Sequence, residues 1–85
     1  MPDNKINIIF VVNGQEQPEE VNVNQPLAAA RNKALADSNN SGRPPDEWAV
    51  YAEDGTALDP SAKIETFNFT SGVRLTLTLK VGAGG

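Results

Sequence analysis

The alternation of apolar and polar positions begins with a strand. Residues 6–12, INIIFVV, form an apolar and largely β-branched run, which favours a strand over a helix. Asn13-Gly14 follows directly, and this pair tolerates the positive φ angles of a type I′ turn. The pattern therefore predicts a hairpin, in which Pro18 indicates an edge position for the returning strand because proline has no N–H to donate.

A single stretch, residues 24–40, has helical periodicity. Pro26 suits the first helical position, with Asn24 or Gln25 as the cap. Gly42 is expected in the left-handed conformation that ends a helix, and the following prolines cannot continue it. The apolar positions fall at i, i+3, i+7 and i+8, which predicts one apolar stripe: Leu27, Ala30, Ala34 and Leu35.

The second half of the chain predicts a short strand, a turn, an apolar connection and a final strand. Val50 lies in the short strand and Asp54-Gly55 marks the turn. The final strand, residues 73–80, alternates almost perfectly, so one of its faces is expected to be buried. The inward residues are predicted to be Val73, Leu75, Leu77 and Leu79. The connection has apolar anchors at Ile64, Phe67 and Phe69.

This order of elements predicts an α+β fold, with a mixed sheet of four to five strands and one helix packed across one face. We expect a frayed N-terminus over residues 1–4, one domain over 5–80 and a flexible glycine-rich tail over 81–85. The expected core is Ile6, Ile8, Phe10, Val23, Leu27, Ala34, Val50, Phe67, Leu75 and Leu77.

Composition excludes several kinds of chemistry. The chain has no cysteine or histidine, which removes disulfides, thiolate catalysis and the usual zinc sites. Its formal net charge of −4 argues against binding to nucleic acid. The sequence has no apolar run long enough to span a membrane and no signal peptide, so we expect a monomeric cytoplasmic protein that binds no membrane.

If Ile8 and Phe10 face the helix, Ile9 and Val11 face the other side of the sheet, beside Tyr51 and Thr76. Aliphatic groups exposed together in this way often mark a binding surface. The alternative is that neighbouring side chains half cover Ile9 and Val11. Trp48 belongs either to this surface or to a plug at the end of the sheet. The carboxylates of Glu16, Glu19 and Glu20 follow the first turn and are expected to be solvated.

Two motifs make the chain similar to ubiquitin and its β-grasp relatives. Residues 42–46, GRPPD, resemble the Gly-x-Pro-Pro-Asp stretch that follows ubiquitin's helix, and the chain ends in Gly84-Gly85. Within this class the chain most resembles the bacterial ubiquitin-like modifiers whose tails end in Gly-Gly. The tail and last strand lack most of ubiquitin's arginines. The positions that correspond to its recognition surface are Tyr51, Arg74 and Thr76.

The resemblance implies a protein modifier rather than an enzyme, with no cofactor of its own. Its partners would be an activating enzyme that uses ATP and Mg²⁺, a conjugating enzyme, a deconjugating isopeptidase and target proteins. Gly84 and Gly85 would enter the activating site, because glycine has no Cβ to obstruct a narrow channel. The tail behind them is Val81, Gly82 and Ala83. An end at Gly85 is expected of a mature form, or of one truncated to imitate it.

Two alternatives remain open on sequence grounds. A sulfur carrier of the same fold would convert the C-terminal adenylate to a thiocarboxylate. A β-grasp interaction module would have an inert tail. Both share the body of the chain and differ only in what happens at Gly85.

Overall fold

The computed structural model describes residues 4–40, 42 and 44–80. Its strands are β1 (Lys5–Val12), β2 (Gln15–Asn22), β3 (Trp48–Tyr51), β4 (Ala57–Leu58) and β5 (Val73–Leu79), and its helix is α1 (Leu27–Asp37). Short 3-10 helices lie at Pro45–Glu47 and Ile64–Phe67. The sheet has the order β2-β1-β5-β3-β4, which confirms the predicted α+β fold with one helix on a mixed sheet.

The first hairpin forms as predicted. Asn13 and Gly14 have φ angles of 53° and 79°, the two positive values that a type I′ turn requires. This turn sets the register in which Val12 lies opposite Gln15. Pro18 is in β2, an edge strand, where its missing N–H interrupts no ladder on the outer side.

The start of α1 differs from the prediction. Pro26 is the cap and has an extended ψ of 151°, so it precedes the helix, and no side chain caps this end. The first free N–H groups bond instead to the backbone of the long connection. Leu27 N–H donates to the Ala62 carbonyl at 2.9 Å and Ala28 N–H donates to the Pro60 carbonyl at 2.8 Å. Distant backbone acceptors thus replace the expected Asn24 or Gln25 cap.

The end of α1 also differs, because Asn39 rather than Gly42 takes the left-handed conformation, with φ of 62°. Asn40 N–H donates to the Leu35 carbonyl at 2.8 Å, and Asn39 N–H donates to the Ala36 carbonyl at 3.2 Å. This pair of bonds is a Schellman motif. Asparagine is the residue that replaces glycine most readily there, which explains why the helix ends before Gly42 is reached.

The core lies between α1 and one face of the sheet. Seven of the ten predicted core residues are buried, whereas Ile6, Val23 and Phe67 are partly buried and pack against them. Trp48 is 4% exposed and joins this core, which settles its placement. The full set of buried apolar residues is Ile8, Phe10, Val12, Val21, Leu27, Ala30, Ala34, Leu35, Trp48, Val50, Ile64, Leu75 and Leu77.

The last strand departs from its predicted burial at both ends. Leu75 and Leu77 are buried, Val73 is only partly buried, and Leu79 is 37% exposed. Alternation places Leu79 on the helix side of the sheet, but little of the core extends that far along β5. The prediction that Leu79 is inward is therefore wrong in depth although right in face.

The connection before β5 is anchored as expected. Ile64 is completely buried, and the rings of Phe67 and Phe69 stack with centroids 5.1 Å apart. Ile64 N–H donates to the Gln25 carbonyl at 2.9 Å, which ties the connection to the start of α1. The connection thereby closes one end of the core and delivers the chain to the centre of the sheet.

Candidate functional site

The sheet face opposite α1, here called the outer face, brings together the residues predicted to form a partner surface. In the parallel pairing of β1 with β5, Ile9 lies opposite Arg74 and Val11 lies opposite Thr76. In the antiparallel pairing of β3 with β5, Tyr51 lies opposite Thr76. All five side chains therefore occupy adjacent positions on this face.

Burial divides these residues into two kinds. Ile9, Val11 and Tyr51 are partly buried, whereas Arg74 and Thr76 are exposed. The aliphatic and aromatic groups thus form a shallow apolar centre rather than a protruding patch. An apolar centre with polar groups around it is the composition typical of a protein–protein interface.

An ion pair crosses the outer face beside this centre. Arg74 Nη1 of β5 lies 2.6 Å from a carboxylate oxygen of Glu16 in β2, so the pair bridges over β1. Both side chains are about half exposed. Glu16 was expected to be solvated, and only the strand register reveals it as part of this face, opposite Val11.

The C-terminal segment begins where β5 ends. β5 lies between β1 and β3. Lys80, the residue after β5, donates its N–H to the Glu47 carbonyl at 2.8 Å, so hydrogen bonds hold the chain to the sheet up to the last described residue. The predicted conjugation residues Gly84 and Gly85 lie outside the described residues, as do Val81, Gly82 and Ala83.

Two charged residues that sequence reasoning did not select are buried on the helix side. Arg31 of α1 is 6% exposed and its Nη1 donates to the Trp48 carbonyl at 3.3 Å. Burial lowers the pKa of the Arg31 guanidinium, and the charge of Asp46 opposes that shift. The contact ties the middle of α1 to the first residue of β3.

Glu19 is the second buried charge and corrects the expectation that it is solvated, because it is 4% exposed. Its carboxylate lies 3.4 Å from Lys33 Nζ and accepts from Gln17 Nε2 at 3.0 Å. Burial raises the pKa of the Glu19 carboxyl, and a hydrogen bond with Asp37 adds to the increase. The group joins edge strand β2 to α1 and does not face the predicted partner surface.

Neither of two other kinds of site is found in the part of the chain that the structure describes. The chain has no cysteine or histidine, and no group of three or more described acidic residues is close enough together to hold a metal ion. None of its helices is long and apolar enough to cross a membrane.

Solved structures that resemble this fold include ubiquitin-like proteins. A ubiquitin from Caldiarchaeum subterraneum has a TM-score of 0.74 at 24% identity, covering 94% of this chain and 99% of that one. A designed protein based on ubiquitin has a TM-score of 0.79 at 22% identity, covering 99% of each chain. These likenesses show a ubiquitin-like fold.

A curated relative is the uncharacterized protein y4jI of Sinorhizobium fredii (strain NBRC 101917 / NGR234), which is 46% identical over 81 residues. The match covers 95% of this chain but 62% of the relative, so the chain spans about three fifths of that protein's length. A family model matches residues 1–85, the whole chain given. The chain belongs to the family described as "Protein of Unknown function (DUF2604)".

Proposed function

We propose that this ubiquitin-like chain is a protein modifier, activated at the Gly85 carboxylate and conjugated to amines of target proteins. The observation that carries the proposal is the placement of β5. This strand lies at the centre of a ubiquitin-like sheet, and the sequence Val81-Gly-Ala-Gly-Gly85 follows its last described residue, Lys80.

The distance that the tail can cover supports this role. Five residues follow Lys80, and each extends at most about 3.3–3.6 Å, so Gly85 can reach roughly 17 Å beyond the sheet. A folded domain cannot enter a nucleotide pocket, whereas a thread whose last four residues are glycine and alanine can. The absence of side chains at Gly84 and Gly85 lets the carboxylate approach a phosphate closely.

The chemistry is supplied by partner proteins. The Gly85 carboxylate attacks the α-phosphate of ATP, pyrophosphate leaves, and an acyl adenylate forms on the activating enzyme. A cysteine thiolate of that enzyme or of a conjugating enzyme then displaces AMP to give a thioester. A target amine attacks the thioester carbonyl, an amide forms and the thiol is released. An isopeptidase hydrolyses this amide with water, which releases the Gly85 carboxylate and the target amine.

The outer face provides the surface by which these partners recognise the body of the modifier. Ile9, Val11 and Tyr51 offer apolar contact, and Arg74 and Thr76 offer polar groups beside them. The bridge between Arg74 and Glu16 is half exposed, so a partner can exchange it for charges of its own.

The test follows the mass of the protein during activation. Protein whose last residue is Gly85 is incubated with ATP, Mg²⁺ and its cognate activating enzyme, and intact mass is recorded. We expect an adenylate, then an enzyme-linked thioester and, with the conjugating enzyme, an amide on the target. In a parallel reaction that also contains a sulfide donor, displacement of AMP by sulfur, seen as replacement of one carboxylate oxygen by sulfur, would instead identify a sulfur carrier.

Variants locate the chemistry in the tail. Deleting Gly85 leaves the carboxylate about 3.5 Å short of the phosphate, and Gly84→Trp obstructs the channel, so both should abolish activation. Ala83→Gly keeps the tail free of large side chains and serves as the matched control. Full activation of Gly84→Trp, or no adenylate with the unaltered protein, would contradict the proposal and favour an interaction module.

A further inference from the structure

A buried cation lies close to the point where the chain leaves the sheet. Arg31 of α1 is 6% exposed, and a guanidinium keeps its charge at any physiological pH. Taking such a charge out of water is unfavourable unless neighbouring groups compensate for it. The contacts of Arg31 therefore indicate what the charge does, and they lead through the start of β3 to Lys80.

The guanidinium binds a backbone carbonyl that the sheet leaves unpaired. Arg31 Nη1 donates to the Trp48 carbonyl at 3.3 Å. The Glu47 carbonyl points towards β5, where it accepts from Lys80 N–H at 2.8 Å. Successive carbonyls of a strand point to opposite sides, so the Trp48 carbonyl points away from β5. Among the described residues, the pairing of β4 with β3 does not extend to Trp48, and Arg31 takes the place of that neighbouring strand.

A carboxylate compensates for part of the buried charge. Asp46 belongs to the 3-10 helix Pro45–Glu47, which leads directly into β3. Its negative charge favours the charged form of Arg31, whereas burial lowers the pKa of the guanidinium. Arg31 Nε also donates to Asn32 Oδ1 at 3.1 Å. Arg31 is thus held between α1 and the segment that begins β3.

This segment in turn holds the end of β5. Trp48 lies opposite Leu79, and the next pair outward is Glu47 with Lys80, which the backbone hydrogen bond of 2.8 Å joins. A displacement of the start of β3 would break this bond and release Lys80. The point at which the chain leaves the sheet would then move, and one more residue ahead of Gly85 would be free.

We propose that Arg31 is a positioning residue for the activation of this modifier. It holds the Trp48 peptide in place, and through the adjoining peptide it holds Lys80. This fixes where the C-terminal segment leaves the sheet and keeps the Gly85 carboxylate within reach of the activating site. Holding a tethered reactant in the productive geometry raises the rate of its reaction without changing how the folded body is bound. The inference rests on the proposed function.

The first test compares Arg31→Met with the unaltered protein during activation. Methionine keeps an apolar stem but cannot donate to a carbonyl. The rate of ATP–pyrophosphate exchange, which reports reversible adenylate formation, is measured with the cognate activating enzyme and Mg²⁺ as the concentration of the modifier is varied. We expect kcat to fall about tenfold and KM to change by less than about twofold, because the outer face is unaltered.

Two further variants separate positioning from stability. Arg31→Lys keeps a donor for the Trp48 carbonyl, and because the bond is to one acceptor, lysine should restore most of kcat. Val21→Ala is the control for loss of stability, since Val21 is buried in β2 and two strands separate β2 from β3. It should lower the midpoint of urea denaturation and leave kcat unchanged. All proteins are assayed at a temperature at which their denaturation curves show them to be folded.

Hydrogen–deuterium exchange of the free protein tests the structural step without any enzyme. The Lys80 amide is protected by its bond to the Glu47 carbonyl. In Arg31→Met it should exchange several-fold faster relative to the Leu75 amide, which lies in the paired part of β5. Arg31→Lys should restore the protection.

The outcomes distinguish this inference from the proposed function. No ATP–pyrophosphate exchange with the unaltered protein would refute the proposed function and, with it, this role of Arg31. If the unaltered protein is activated, any of three results overturns the role of Arg31 alone. These are an unchanged kcat in Arg31→Met, an equal loss of kcat in Val21→Ala, and a Lys80 amide whose hydrogen exchange is the same in Arg31→Met as in the unaltered protein.

Discussion

Arg74 and Glu16 form an ion pair, 2.6 Å from nitrogen to oxygen, that bridges over β1 from the centre of the sheet to its edge. Glu16 lies opposite Val11 and Arg74 lies opposite Ile9, so the pair crosses the apolar centre of the outer face diagonally. A partner that binds there meets the charges and the apolar groups together.

The ion pair is expected to contribute little to stability. Its side chains are 55% and 48% exposed, and pairs of this kind contribute about 0.2–1 kcal/mol in double-mutant cycles. Urea denaturation of Glu16→Gln, Arg74→Gln and the double variant measures the coupling energy. The coupling should fall further when salt is raised. A coupling above about 2 kcal/mol would show that the bridge is a structural element rather than part of a recognition surface.

Leu75 should be among the most costly residues to truncate. It is completely buried in β5, between β1 and β3, and Leu75→Ala should lower the free energy of unfolding by about 2–5 kcal/mol. Thr76→Ala is the neighbouring control on the exposed side and should change it by no more than about 0.5 kcal/mol. Chemical denaturation measures both. A reversed order would place the register of β5 one residue away from that described here.

Tyr51 and Ile9 should affect partner binding more than folding. Both are only partly buried on the outer face, so Tyr51→Ala and Ile9→Ala should change the melting temperature little. Each substitution should slow thioester transfer from the activating to the conjugating enzyme several-fold if these enzymes bind to the outer face. Ala57→Ser, at the margin of the same sheet, is the control. Large losses of melting temperature with unchanged transfer would show that the two residues are structural.

The end of α1 gives a test that depends on backbone conformation alone. Asn39 has a φ of 62°, where a Cβ is unfavourable and glycine is not. Asn39→Gly should therefore match or exceed the stability of the unaltered protein, and Asn39→Ala should be about 1 kcal/mol less stable than Asn39→Gly. Thermal denaturation of the two variants compares them directly. Equal stabilities would mean that residue 39 is not left-handed in solution.

Glu19 should make stability depend on pH in an identifiable direction. Because burial raises the pKa of its carboxyl in the folded protein, the folded state binds its proton more readily than the unfolded state does. Its effect on the free energy of unfolding therefore becomes more favourable as pH falls from 7 towards the unfolded-state pKa of about 4.3. Hydrogen bonds from Thr56 and Ser61 lower the pKa of Asp54 and Asp59, so the stability that these two carboxylates contribute is lost at lower pH, below their unfolded-state pKa of about 3.9.

Comparison with Glu19→Gln isolates this effect, because the other carboxylates are common to both proteins. The stability of the unaltered protein minus that of the variant should increase between pH 7 and pH 4.5. Chemical denaturation at several pH values measures it. A difference that decreases over this range would mean that ion pairing with Lys33, rather than burial, controls the Glu19 carboxyl.

Much of the fold was predictable because it depends on short-range pattern. Asn13-Gly14 predicts the type I′ turn from the φ preferences of two residues, and the alternation around Leu75 and Leu77 identifies the face that β5 buries. The outer-face position of Ile9 and Val11 follows from the same alternation. Its use as a partner surface, and activation at Gly85, remain predictions.

The partners of individual side chains were not predictable. Alternation places Glu19 and Glu16 on opposite faces of β2, but nothing local indicates that Glu19 is buried beside Lys33 or that Glu16 pairs with Arg74. Both placements depend on which strand and which helix pack nearby. The cap of α1 has the same origin, since its acceptors are carbonyls of Pro60 and Ala62 in the distant connection.

By itself, the sequence determined the turns, the alternating faces of the strands and the position of the helix, because these follow from backbone preferences and periodicity over a few residues. Only the tertiary structure decided how deeply each residue is buried and what it contacts. Leu79 shows the difference, because its alternation places it on the helix side while β5 extends past β1 and leaves it 37% exposed. Depth and contact depend on the lengths and packing of elements far apart in the chain.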